Sequence, residues 1–260
     1  MPQINGPAGT GILITVEERV ATLTLDRPPL NVLSIRTCEV IATSLRGLSA
    51  LDEVGVLVLA GAGRAFSAGA DVGEHRDATV AAMLRAMHSV GKALLEFPRP
   101  TIARVHGAAL GGGCELVLCC DVAVAASSAT LGLPEIALGV FPPLAATLLP
   151  RLAGRRAGEA ILWGETMPAA AALRLGLVTE VVPPSRLDAT VAAHAKRAAR
   201  LSSTTLRIAR RALRRGAQGS FDDALAAVEE IYLNELMRSE DATEGLEAFL
   251  EKRPPRWRHR

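Results

Sequence analysis

Two glutamates stand out because each interrupts a nearly continuous apolar run. Glu115 lies in Gly-Gly-Gly-Cys-Glu-Leu-Val-Leu, and Glu135 lies in Leu-Gly-Leu-Pro-Glu-Ile-Ala-Leu. Burial disfavours the charged form of a carboxyl group and raises its pKa, which suits the group for acid or base work near neutral pH. The apolar pattern alone leaves a second interpretation open, in which each glutamate forms a structural ion pair or caps a helix.

A glycine triplet, Gly111 to Gly113, precedes Glu115 and follows an apolar strand. Residues without a Cβ atom let a ligand approach the backbone closely, and the free amides at the start of a helix carry partial positive charge. The turn is therefore a candidate site for a phosphate, a carboxylate or a developing oxyanion. Tight packing of the helix against the strand is the alternative, and the triplet matches neither a P-loop nor a dinucleotide-binding pattern.

A second segment of small residues, Gly61 to Asp71, comes directly after a predicted buried strand and also exposes backbone amides. Asp71 and Glu74, three residues apart, predict a local capping pair. His106 stands at a strand end, where a lone histidine is typical of a structural role. Five arginines fall on one helical stripe, which predicts a solvated face: Arg207, Arg210, Arg211, Arg214 and Arg215.

The elements that must position these segments alternate between strands and helices in the first half of the chain. Apolar periodicity beyond residue 157 is mostly helical. We divide the chain into an α/β core domain over residues 1–200 and a C-terminal helical region over 201–260. The predicted strands are 12–16 and 19–25, which form a hairpin, then 55–60, 101–106, 121–125 and 177–182; the predicted helices are 35–51, 78–97 and one that begins near Gly112.

Composition narrows the class of protein. The 29 Lys and Arg residues nearly balance 27 Asp and Glu residues, which argues against a nucleic-acid partner. The four cysteines have no disulfide or metal-ligand spacing, so we expect a reducing compartment and no metal site. No apolar run approaches the roughly 20 residues that a membrane helix needs. We therefore expect a soluble, cytoplasmic protein with no membrane partner.

Three segments taken together resemble one family. They are Arg-Ala-Phe-Ser-Ala-Gly-Ala-Asp, His-Gly-Ala-Ala-Leu-Gly-Gly-Gly-Cys-Glu and Leu-Pro-Glu-Ile-Ala-Leu-Gly, in that order. This pattern resembles the enoyl-CoA hydratase/isomerase (crotonase) family, and the likeness extends over about residues 12 to 257. The resemblance implies a spiral of ββα turns followed by a helical trimerisation region, assembled as a homotrimer or a dimer of trimers.

The same resemblance implies roles for individual residues. Glu115 and Glu135 match the two catalytic acids of the hydratases, and the amides of Ala70 and Gly112 match the oxyanion hole. Coenzyme A is part of the substrate, and no separate cofactor is implied. The residues that match the coenzyme A contacts are Arg64, Ala68, Ala70, Asp71, Val72 and Lys252, the last of these acting from a neighbouring subunit.

The activity implied is the addition or removal of water across the double bond of an unsaturated acyl-CoA thioester. Two alternatives stay open: a double-bond isomerase, which needs only the glutamate at position 135, and a non-catalytic acyl-CoA binding subunit. The run Gly139 to Leu149 replaces the family's glycine-rich turn with Pro143, Leu144, Ala145 and Ala146. It is similar to the run in cyclohexadiene-carbonyl-CoA hydratases, which predicts a cyclic or conjugated dienoyl thioester. Alternatively, these side chains only pack the following helix.

Overall fold

The computed structural model describes residues 3–5 and 11–259. Its larger sheet has the strand order β1-β2-β3-β4-β5-β7-β10, with β1 to β3 antiparallel and the pairs from β3 onward parallel. A smaller sheet has the order β6-β8-β9. The strands are β1 Gln3–Asn5, β2 Ile12–Glu17, β3 Val20–Leu25, β4 Val56–Gly61, β5 Thr101–Val105, β6 Ala108–Leu110, β7 Val122–Ala126, β8 Thr130–Gly132, β9 Thr166–Pro168 and β10 Glu180–Val182.

Helices cover the sheets and dominate the C-terminal third. Within the described part of the chain, none is long and apolar enough to cross a membrane. The α-helices are α1 Ile35–Ser49, α2 Val80–Leu95, α3 Gly112–Leu118, α4 Pro143–Ala153, α5 Arg156–Leu162, α6 Ala169–Leu175, α7 Leu187–Ala199, α8 Ser203–Gly216, α9 Phe221–Ile231 and α10 Glu240–Leu250. Short 3-10 turns span Val72–Glu74, Pro134–Leu138 and Pro184–Arg186, and a π-helical turn spans Tyr232–Leu236.

The predicted elements of the first half are confirmed, with small shifts at their ends. The β2–β3 hairpin pairs Ile12 with Leu25, and the predicted helix over 78–97 begins at Val80 and ends at Leu95. The strand predicted over 177–182 is confined to its last three residues. Strands β6, β8 and β9 were not predicted, because a three-residue strand is too short to show alternating polarity.

The parallel core of the sheet brings the two small-residue segments together. Strand β4 is buried along its whole length and pairs in parallel with β3 and β5. Because these strands run in the same direction, the loops that follow them emerge at the same end of the sheet. Ser67, in the loop after β4, donates its amide to the Ala108 carbonyl at 3.0 Å and accepts from the Leu110 amide at 2.9 Å. The loop after β4 is thus fixed against the strand that leads into the glycine triplet.

Asn31 fastens the same loop from its other side. This residue is buried with φ +53°, and its Nδ2 donates to the Ala62 and Ala65 carbonyls at 2.9 and 2.8 Å. The Ser67 hydroxyl donates to the Asn31 carbonyl at 2.8 Å and accepts from the Gly69 amide at 3.1 Å. These bonds give the loop a fixed shape up to the residue before Ala70.

The arginine stripe is not a solvated face throughout, so that prediction is wrong at Arg210. This side chain is buried, its Nε lies 2.6 Å from Oδ2 of Asp121, and its guanidinium donates to the Leu94 carbonyl at 2.9 Å. Arg210 therefore supplies additional donors to carbonyls at the end of α2 and ties α8 to that helix. The neighbouring Arg214 also donates to this end, at Leu95.

Candidate active site

A cavity of about 340 Å³ opens beside the glycine triplet. Both glutamates singled out in the sequence line it, and most of its other walls are apolar. The walls come from the loop after β4, one face of α2, the start of α3 and the segment from Pro134 to Pro143. The chain thus brings the two predicted carboxylates and the two small-residue segments into one site.

Glu115 is held deep in this cavity by helix α3, whose seven residues are all buried. Its side chain accepts from the Ala145 amide, which donates to Oε1 at 3.0 Å. Burial raises the pKa of Glu115 to about 7, the Ala145 bond opposes that rise, and the negative charge of Glu135 adds to it. Glu115 can therefore exchange a proton near neutral pH.

Glu115→Gln should make the protein more stable than the wild type at pH 8. Because the folded-state pKa lies above the usual 4.5, the folded protein binds more protons, and stability falls as pH rises from about 4.5 through about 7. Removing the charge should recover on the order of 2 to 3 kcal/mol at pH 8 and almost nothing at pH 4. Urea unfolding at both pH values, at fixed protein concentration, measures the difference.

The matched control is Glu39→Gln, since Glu39 is exposed on α1. Its stability should follow the wild type at both pH values. Equal stability of Glu115→Gln and the wild type at pH 8 would contradict a buried charge at Glu115.

Glu135 is less restrained. It lies in the 3-10 turn Pro134–Leu138 and is half-buried, and its Oε2 is buried without a hydrogen-bond partner in the described part of the chain. Burial raises the pKa of Glu135, its own backbone amide opposes the rise, and the nearby His75 also lowers it. A Cβ atom at Gly111 would lie 2.7 Å from Oε1 of Glu135, so only glycine leaves room for this carboxylate.

Two backbone amides lie next to each other at the cavity wall. Gly112 is the first residue of α3, where an amide has no partner within the helix. Leu33 and Ala70 form an isolated parallel β-bridge, in which the Leu33 amide donates to the Gly69 carbonyl and the Leu33 carbonyl accepts from the Asp71 amide. The Ala70 amide takes no part in these bonds and is turned away from Leu33. A Cβ atom at Gly112 would lie 3.3 Å from the Ala70 nitrogen. Both residues line the cavity, so the pair is placed to receive one oxygen atom there.

The residues predicted to contact coenzyme A fall into two groups. Ala68, Ala70 and Val72 line the cavity, and Val72 is 60% exposed at its mouth. Arg64 is exposed in the loop after β4, and Lys252 follows α10 with φ +53°. Arg64, Asp71 and Lys252 are not among the residues that line the cavity in this single chain.

The capping pair was half right. Asp71 caps the 3-10 turn Val72–Glu74, and its Oδ1 accepts from the Gly73 amide at 2.8 Å. Glu74 instead accepts from the Ile35 amide at 2.8 Å, at the start of α1. Tertiary contact with another helix therefore replaces the predicted local pair. His106 is structural as predicted, with Nε2 2.9 Å from the Gly63 carbonyl.

The run after Glu135 divides between the cavity wall and helix packing. Pro143 lines the cavity, whereas Leu144 packs so closely on α2 that a Cβ atom at Gly91 would lie 2.7 Å from its Cδ1. The Ala145 side chain is buried, and its amide holds Glu115. Of the four residues that replace the glycine-rich turn, only Pro143 is among those that line the cavity, and the helix-packing alternative holds for Leu144 and Ala145.

Helix α2 supplies a wall that the sequence-based prediction missed. His75, at the end of the 3-10 turn Val72–Glu74, also lines the cavity. The sequence did contain a signal for the wall formed by α2, because the residues of this helix that line the cavity recur at the spacing of one helix face. Those residues are Val80, Met83, Leu84, Met87 and His88.

Comparison with known proteins agrees with this architecture. The sequence profile of the enoyl-CoA hydratase/isomerase family matches residues 15–260. The chain belongs to that family. A probable enoyl-CoA hydratase of Mycobacterium bovis is 38% identical over 96% of this chain and 98% of its own. The cyclohexa-1,5-dienecarbonyl-CoA hydratase of Thauera aromatica is 36% identical over 92% of each chain.

A crystal structure gives the same result for the fold. The enoyl-CoA hydratase of Bacillus anthracis superposes with a TM-score of 0.91 at 32% identity, over 96% of this chain and all of that one. The enoyl-CoA hydratase/isomerase fold predicted from the sequence is therefore confirmed, as is an enzyme of the enoyl-CoA hydratase type. The roles of individual residues, the division at residue 200 and the trimerisation region stay predictions.

Proposed function

We propose that this family member adds water to, or removes it from, an α,β-unsaturated acyl-CoA thioester by using Glu115 and Glu135 together. The observation that carries the proposal is their position in one cavity beside the paired amides of Ala70 and Gly112. Hydration passes through enolate-like charge on the thioester oxygen. Two preorganised amides stabilise that charge, which makes them the proposed oxyanion hole.

The two carboxyl groups divide the proton work. The Ala145 amide stabilises the ionised form of Glu115, which favours Glu115 as the base that takes a proton from water. Glu135, the second carboxyl group that lines the cavity, then gives its proton to the α-carbon. Each hydration leaves Glu115 protonated and Glu135 ionised, so a proton must return from Glu115 to Glu135 before the next turnover. Because the charge of Glu135 also raises the pKa of Glu115, we expect the pair to titrate as a unit.

One observation argues against each of the two alternative functions. An isomerase needs only Glu135, so a buried Glu115 held by a dedicated amide supports water chemistry instead. A non-catalytic subunit has no need of two carboxyl groups with raised pKa values in one cavity. Turnover of crotonyl-CoA, followed by loss of absorbance and by mass spectrometry of the product, separates hydration from isomerisation and from binding alone.

The narrower proposal is a cyclic or conjugated dienoyl-CoA substrate. The wall from Leu138 to Pro143 has two consecutive prolines, which restrict its backbone, and one relative is named for a cyclic dienoyl ester. We expect kcat/KM for cyclohexa-1,5-diene-1-carbonyl-CoA to exceed that for crotonyl-CoA by at least about 10-fold, since shape differences in an apolar pocket have effects of this size.

Steady-state kinetics with both esters, at one pH and one salt concentration, makes the comparison. Glu115→Gln is the control, because it should lower both rates if both esters use the same site. A clear preference for crotonyl-CoA would overturn the cyclic proposal and leave the hydratase proposal intact.

Binding of the coenzyme A part is proposed to use the backbone near Ala68 and Ala70 and the charge of Arg64, with Lys252 supplied by a neighbouring subunit. A homotrimer or a dimer of trimers is consistent with large exposed apolar side chains on the C-terminal helices, among them Leu213, Phe221, Phe249 and Leu250. The cytoplasmic location and the lack of a separate cofactor stay predictions.

A further inference from the structure

Arg27 is a half-buried cation to which the proposed mechanism gives no role. Its Nη1 donates to the Val32 carbonyl at 2.9 Å, and it also donates to the hydroxyl groups of Ser34 and Thr37 at 3.1 and 2.6 Å, at the start of α1. A hydrogen bond from a charged donor is stronger than one from a neutral donor. The Val32 carbonyl is therefore held and polarised by the guanidinium group.

Two planar peptide units connect this guanidinium to the cavity. The Val32 carbonyl and the Leu33 amide belong to one unit, and the Leu33 amide donates to the Gly69 carbonyl at 2.9 Å. The Gly69 carbonyl and the Ala70 amide belong to the second unit. In a trans peptide the carbonyl and the amide point in opposite directions. The bond that holds the Gly69 carbonyl therefore also fixes the direction of the Ala70 amide, which lies at the cavity wall.

The middle of this hydrogen-bonded chain is shielded from water. Leu33 is 1% exposed and Gly69 is buried. In such surroundings each hydrogen bond polarises the next one, so a positive charge at one end strengthens the donor at the other end. The Asp71 amide donates to the Leu33 carbonyl at 3.0 Å and holds the other side of the bridge. A displacement of Leu33 therefore turns the Ala70 amide as well.

We infer that Arg27 is a positioning residue for the proposed oxyanion hole, which orients and polarises the Ala70 amide through the two peptide units. The inference rests on the proposed hydratase function and adds to it a residue that does not touch the substrate. Arg27 also stabilises the start of α1. The test must therefore separate an effect on the thioester oxygen from an effect on the fold.

A conjugated chromophoric ester, 4-dimethylaminocinnamoyl-CoA, makes this separation, because its absorption moves to longer wavelength when hydrogen bonds polarise its carbonyl group. The wild type should produce such a shift when the ester binds. Arg27→Met should lose at least about half of the shift, since the donor to the carbonyl is weaker and misaligned. Arg27→Gln should lose less, because its amide can still donate to the Val32 carbonyl but carries no charge.

Hydration kinetics provide a second measurement. Arg27→Met should lower kcat by about 10-fold, a smaller loss than the roughly 10² to 10³-fold that follows removal of an oxyanion-hole donor. KM should change by less than about 3-fold, because the affected hydrogen bond strengthens mainly in the transition state.

Arg99→Met is the matched control, because Arg99 donates to the Ser49 and Leu51 carbonyls at the other end of α1. This variant should lower the free energy of unfolding, as Arg27→Met does, but it should leave the spectral shift and kcat unchanged. Urea unfolding of both variants at one pH measures the structural effect.

An equal spectral shift in the wild type and Arg27→Met would overturn the inference, as would equal losses of kcat in Arg27→Met and Arg99→Met. If Arg27→Met does not fold, Arg27→Gln takes its place in both comparisons. Absence of any spectral shift in the wild type would instead count against the paired amides of the proposed function. The two failures are therefore distinguishable.

Discussion

Glu115→Gln and Glu135→Gln should each lower kcat for hydration by about 10² to 10⁴-fold, the range expected when a general acid or base is removed. Both variants should fold, because Gln has nearly the same shape and can still accept from the Ala145 amide at position 115. Stopped-flow or steady-state hydration of the best ester measures the loss, and circular dichroism checks the fold. Near-normal turnover in either variant would show that the two-carboxyl mechanism is wrong.

The double variant tests whether the carboxyl groups act as a unit. If they share one water molecule, Glu115→Gln and Glu135→Gln together should be little worse than the poorer single variant. Multiplication of the two separate losses would point to independent roles. The same variants distinguish the isomerase alternative, in which only the change at position 135 removes activity.

Gly111→Ala should lower kcat/KM by about 100-fold or more. The added Cβ atom would lie 2.7 Å from Oε1 of Glu135, and Gly111 has φ +51° and ψ −126°, a conformation that L side chains rarely adopt. Glu135 must move out of the site, or the turn into α3 must change shape. A displacement of about 1 Å at reacting groups is enough for such a loss.

The chain contains a matched control for backbone strain. Gly154 has φ +54° and ψ −129°, and a Cβ atom there would meet nothing within 4 Å. Gly154→Ala should therefore destabilise the fold by about 1 to 3 kcal/mol through strain alone, with kcat/KM unchanged. Equal catalytic losses in both variants would mean that strain, rather than contact with Glu135, explains the effect at Gly111.

The sequence predicts a large part of this site because burial leaves a visible signal. Glu115 and Glu135 break apolar runs, and their pKa values are raised mainly by burial, as those runs suggest. The glycine triplet marks the start of α3 because positive φ at Gly111 excludes other residues. The alternating strands and helices also follow from apolar periodicity, since the parallel core is buried on both faces.

The rest of the site could not be predicted from local patterns. Arg210 was assigned to a solvated face because its helical stripe is charged, yet it is buried against Asp121, which is distant in sequence. The bond from the Ala145 amide to Glu115 joins residues 30 positions apart and leaves no trace in side-chain types. His88 had a usable signal, a histidine on an otherwise apolar helix face, but its position in the cavity depends on how α2 packs.

The bond between the Ala145 amide and Glu115 has a consequence for how this enzyme can diverge or be redesigned. The first turn of α4 continues the segment that shapes the cavity. It also supplies the Ala145 amide, which lowers the proton affinity of Glu115 against the effect of burial. A substitution there that accommodates a new acyl group also shifts this donor. We therefore expect a substitution in this turn to change substrate selectivity and the pH range of activity together. Changing one of these properties without the other requires a compensating change near Glu115.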